Sequence, residues 1–159
     1  MMPTFAAPSD LPRLRERRPA STLGRIFFLA LVLVCLLSGM AGGLLRAGVA
    51  MPALVHGSWL TQAVQQHAFL MISAFLGTVI GIERAVAVKK RLAFAAPVAS
   101  ALAGLCSLAG MHYGAAGLAV LAAVLFVAVN LLVVHRQRAA HTALLLVAAL
   151  AWLVGNLGF

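Results

Sequence analysis

The sequence predicts an all-α polytopic membrane protein with about five transmembrane helices and a cytoplasmic N-terminus. Three observations carry this reading. Of 159 residues, 64% are apolar and 9% charged, against roughly half and a quarter in an ordinary soluble domain. Mean hydropathy is +1.06, and a soluble chain of this size buries only about 70% of its surface, too little to hide so much hydrocarbon. The 12 Lys and Arg residues, against 3 Asp and Glu, sit between the apolar blocks, eleven of them in alternate connections. A soluble enzyme is excluded. The net charge of +9 reads as membrane topology rather than as a nucleic-acid surface.

Residues 1–25 hold Pro3, Pro8, Pro12 and Pro19 together with Arg13, Arg15, Arg17, Arg18 and Arg25. Proline spacing and charge work against a packed core there, so a disordered basic cytoplasmic tail is expected. The first span, about 26–45, runs for some 20 uncharged residues, longer than the 7–15 of a secretory signal and enough to cross a bilayer. The second, about 64–88, is uncharged from His67 to Ile82 and then carries Glu83 and Arg84. The third, about 92–110, has Pro97 near its start, where a helix tolerates it. The fourth and fifth cover about 114–134 and 142–159. No segment alternates as a barrel strand does. Short linkers make neighbouring spans antiparallel. The N-terminal tail, the turn with Arg84, Lys89, Lys90 and Arg91, and the turn with Arg136 and Arg138 share one side, leaving Arg46 on the other. The positive-inside rule assigns the basic side to the cytoplasm. The last span closes at Gly155-Asn156-Leu157-Gly158-Phe159 without a polar flank, which reads as a truncated or split chain or as one half of a larger assembly, so a homo-oligomer or a missing second half is the expected partner.

Small residues at four-residue spacing let helix backbones approach in lipid. Gly39 and Gly43 on the first span, and Ser73, Gly77 and Gly81 on the second, are read as packing seams. Cys35 and Cys106 lie inside spans and read as packing residues, since a disulfide framework needs an exposed, oxidising setting. Asn130 and Asn156 read as hydrogen-bonding residues between helices. Trp59 and Tyr113 fall at the outer interface, as belt aromatics do.

Ionisable groups within a span are costly and mark function or anchoring. Glu83 and Arg84 point about 100° apart on one helix, so each is expected to meet a partner on another helix or another chain. Imidazole and thioether are ligands for copper and haem iron. His56, His67 and His112 fall near the outer boundary with Met51, Met71 and Met111, while His135 and His141 fall near the inner one. His67 and Met71, four residues apart, share a helix face, with Thr78 on the same stripe. His67 and Glu83 lie about 24 Å apart along the helix and cannot form one site there.

The run His67-Ala68-Phe69-Leu70-Met71, then Phe75-Leu76-Gly77-Thr78-Val79-Ile80, then Glu83-Arg84-Ala85-Val86-Ala87, resembles a motif of NnrS-like polytopic bacterial membrane proteins. Trp152-x-x-Gly155-Asn156 is similar to a second short motif of that family. NnrS proteins are larger, many-helix proteins linked to nitric oxide and nitrosative stress. The resemblance implies a haem or copper site centred on His67 at the outer end of the second span, with His141 a further residue carried over. Met71, His56 and His112 are the additional ligand candidates. Two other classes stay open. One is a transporter or channel half-unit that dimerises, with Glu83, Arg84 and Asn130 lining a vestibule. The other is a membrane assembly subunit without catalysis.

Overall fold

The computed structural model describes residues 22–50 and 57–158. Six helices succeed one another: α1 (Thr22–Arg46), α2 (Ser58–Gln65), α3 (His67–Val88), α4 (Ala95–Leu108), α5 (His112–Arg136) and α6 (Ala140–Leu157). A 3₁₀ turn, Arg91–Phe94, leads into α4. Among the described residues there is no strand, and five of the helices are long and apolar enough to cross a membrane. Each of the five expected spans falls on one of these long apolar helices. The second begins at His67 rather than near residue 64, because Ser58–Gln65 forms a separate helix before it. That short helix was not anticipated. The basic tail lies outside the described residues up to residue 21.

The turns follow from local chemistry. α1 and α4 both end on a glycine with positive φ, Gly48 at 80° and Gly110 at 76°. In each case the next residue's N–H reaches back five residues, Val49 to the Leu44 carbonyl and Met111 to the Cys106 carbonyl. This is the Schellman arrangement, which closes the free carbonyls of a helix end. α3 ends on Lys89 at φ 57°, and Lys90 is extended, so the charged pair leaves the helix rather than prolonging it.

α3 is the hub of the bundle. Its seam with α1 pairs Gly43 with His67 and Gly39 with Met71. Its seam with α4 pairs Gly81 with Pro97, Gly77 with Ser100 and Ala74 with Gly104. Its seam with α6 pairs Gly77 with Trp152 and Ser73 with Asn156. In every seam a step forward on α3 is a step backward on the neighbour, so the spans are antiparallel to it, as their short connections require.

Packing is built on small side chains. Cys35, Ala63, Leu70 and Ala74 form one buried cluster, and Phe69, Ala103, Ala115 and Ala119 another. Many of the large apolar side chains point outward, with Leu29, Leu144 and Val154 each about two-thirds exposed. Water would not tolerate that inversion of the usual order, whereas hydrocarbon does. In lipid, helices associate through close backbone approach and interhelical hydrogen bonds rather than through hydrophobic exclusion. α3 and α4 are the most enclosed spans and α6 the least.

Candidate functional site: the face of α3 against α1, and the cleft toward α6

His67 opens α3 half-buried against α1. Its Nδ1 lies 2.6 Å from the Gly39 carbonyl oxygen. A carbonyl only accepts, so Nδ1 carries the proton and Nε2 holds the free lone pair. The ring edge is seated on Gly43, where a Cβ would stand 2.6 Å from Cε1 and 3.2 Å from Nε2. One turn on, the Met71 sulfur rests on Gly39, 2.7 Å from where a Cβ would be. The two glycines leave the room that the imidazole and the thioether occupy. Gly42, between them, meets the Ala63 carbonyl of α2 and was not singled out from sequence.

The other expected ligands are not gathered here. His56 lies outside the described residues. His112 sits exposed at the start of α5, and His135 and His141 are exposed at the far end of the bundle. Among the described residues no three His, Cys, Asp or Glu side chains form a metal-binding group. Cys35 is buried and Cys106 half-buried, and both are free thiols.

Immediately after the first turn, Leu70–Leu76 of α3 is a π-helix. Such a segment adds a residue to the turn and is often found at functional sites. The Gly77 N–H reaches the carbonyls of Ile72 and Ala74 instead of that of Ser73. The Ser73 carbonyl accepts the Ser100 hydroxyl of α4, while the Ser73 hydroxyl donates to Asn156 Oδ1 of α6 at 2.9 Å. Thr78 is buried and donates to the Ala74 carbonyl at 2.5 Å, which gives its hydroxyl a local role rather than a place beside His67 and Met71. Asn156 also donates to the Trp152 carbonyl on its own helix. Asn130, expected to bridge helices, donates within α5 to the Phe126 carbonyl.

Glu83 is exposed and makes no ion pair among the described residues. Arg84 is half-buried, and its Nε is buried with no hydrogen-bond partner among the described residues. Neither meets the expected partner among the described residues. Arg84 instead closes one end of a cleft of about 230 Å³ between α3, α5 and α6. Phe126 and Trp152 meet edge to face in its wall, with ring centroids 5.5 Å apart. Trp152 was legible only as part of a short motif, and its contact with Gly77 was not.

These features define a small-residue bundle of five membrane-length helices with a polar seam along its central span. The chain belongs to the family described as a domain of unknown function, DUF8744, whose match covers residues 25–159. No curated protein and no solved structure matches it.

Proposed function

We propose that this chain is an integral protein of the bacterial inner membrane whose His67 and Met71 bind a soft metal ion, copper(I), in an NnrS-like role under nitrosative or respiratory stress. The observation that carries the reading is the His67–Gly39 hydrogen bond. Metal-binding histidines almost always donate their second ring N–H to a carbonyl or carboxylate, which holds the ring and raises its basicity. Here that bond leaves Nε2 as the free donor atom, with the Met71 thioether one turn away on the same seam. Imidazole with thioether suits copper(I), and the apolar surroundings favour the singly charged ion over a divalent one.

The same contacts favour an ion over haem. A porphyrin centred on Nε2 would spread several ångströms sideways into α1, which already touches the ring through Gly43. A single ion requires no such space. The chain's own residues would hold the ion and shield it from water. Their chemistry supports binding or relay of copper more readily than turnover.

The test is competition between the purified protein and a copper(I) chelator. Wild type is expected to retain about one ion per chain, and His67→Gln, which can still donate to Gly39, to lose it. Equal retention by both, or none by wild type, would overturn the reading. A second reading, a dimerising transport half-unit, draws on Glu83, an exposed carboxylate near the end of a span without a partner among the described residues. It requires Glu83→Gln to abolish flux at unchanged expression.

A further inference from the structure

The cleft at Arg84 lies away from the His67 seam and asks for a different occupant. α6 touches α3 closely at one end, through Ser73–Asn156 and Gly77–Trp152, and the cleft opens beyond them toward Arg84. Leu76, Ile80, Leu145 and the two aromatic rings make its wall apolar. Water is a poor occupant, because an ordered water needs two to four polar partners. At the closed-in guanidinium the chemistry changes abruptly. Arg84 has a buried Nε without a partner and sits five residues, about 7.5 Å along the helix, before the Lys89-Lys90-Arg91 turn. A guanidinium pairs with phosphate through two parallel N–H bonds. An apolar slot ending in such a cation, at the depth where a headgroup meets its chains, has the chemistry of an anionic phospholipid.

We propose that this cleft holds one acyl chain of an anionic phospholipid, with Arg84 recognising the lipid phosphate and the Lys89–Arg91 turn adding long-range attraction. The lipid belongs to the leaflet on the side of that turn. Its bound chain would fill the gap between α3 and α6, the least enclosed of the five spans. The occupant is distinguished from a bulk lipid by charge selectivity: every phospholipid carries a phosphate, but in a zwitterionic one the headgroup ammonium competes with Arg84 for it and is repelled by the Lys89–Arg91 turn.

Trp152 provides the probe, because it lines the cleft and the sequence has only one other tryptophan, Trp59. Trp59→Phe protein would be reconstituted in phosphatidylcholine vesicles doped with chain-brominated phosphatidylglycerol or chain-brominated phosphatidylcholine. Brominated phosphatidylglycerol is expected to quench Trp152 at a mole fraction about tenfold lower, because its phosphate meets Arg84 without a competing headgroup ammonium. Arg84→Gln should reduce that preference to the remainder set by the Lys89–Arg91 turn, and Arg84→Lys should keep more of it. Ala148→Phe, at an exposed lining position, should reduce quenching by both lipids by filling the slot. Equal quenching by the two lipids in the Trp59→Phe protein, or a preference undiminished by Arg84→Gln, would overturn the proposal. So would quenching unchanged by Ala148→Phe.

Discussion

The Nδ1 of His67 stands 2.6 Å from the carbonyl oxygen of Gly39, across the seam between α1 and α3. This single bond fixes the tautomer of a half-buried imidazole and ties two spans together. It also puts the residue's free lone pair on the seam where the Met71 sulfur lies.

Three of the glycines of α1, Gly39, Gly42 and Gly43, face neighbours of very different stiffness, and their alanine variants should rank accordingly. A methyl at Gly42 would overlap the Ala63 backbone, which cannot step aside. At Gly43 it would meet the His67 ring, and at Gly39 the tip of the flexible Met71 side chain. Overpacking usually costs about 1–3 kcal/mol and more where nothing can yield. Thermal unfolding in detergent should therefore place Gly42→Ala lowest, Gly43→Ala next, and Gly39→Ala within about 1 kcal/mol of wild type. A Gly39→Ala protein less stable than Gly42→Ala would contradict the seam.

Ser73 and Asn156 should couple. Their hydrogen bond joins α3 to α6 at a buried position. Interhelical hydrogen bonds in membranes average about 0.6 kcal/mol in double-mutant cycles and reach about 1.7. Ser73→Ala and Asn156→Ala, alone and combined, should give a coupling in that range. Strict additivity would show that the two side chains do not meet.

Gly77→Ala should disturb two seams at once. Its methyl would stand 2.6 Å from both the Ser100 hydroxyl and the Trp152 ring. In a Trp59→Phe background the emission of Trp152 is expected to shift, with a loss of about 1–3 kcal/mol. Gly155→Ala, which meets nothing within 4 Å, is the matched control and should leave the emission unchanged.

The topology is open to labelling. With Cys35 and Cys106 replaced by alanine, a cysteine at Arg138 should react with an impermeant maleimide only from the cytoplasmic side. One at Tyr113, which is 98% exposed, should react only from the opposite side. The reversed pattern would invert the positive-inside assignment.

Much of the bundle was legible in the sequence because hydropathy and charge act locally. Span lengths and turns follow from where Lys89, Lys90, Arg136 and Arg138 interrupt the apolar blocks. Gly39, Gly43, Ser73, Gly77 and Gly81 announced close approaches by their spacing, though not which helix approaches each. That depends on tertiary packing, and it is why Gly42, Ser100 and Gly104 escaped notice. α2 is eight residues with Thr61, Gln62 and Gln65 among them, too short and too polar to read as a span. The π-helix has no signature in Leu70–Leu76, since it rests on Ser100 accepting the role of partner to a carbonyl on another helix. Arg84 was recognisable as costly, but only the packing of α5 and α6 against α3 sets it at the end of an apolar cleft.

The central claim is that His67 Nε2 and Met71 Sδ hold copper(I). X-ray absorption at the copper edge, on protein loaded with one equivalent of copper(I), tests it most directly. A shell containing both nitrogen and sulfur is expected, with the sulfur lost in Met71→Leu and the copper itself lost in His67→Gln. Copper bound without sulfur in the wild type, or an unchanged spectrum in both variants, would contradict the account.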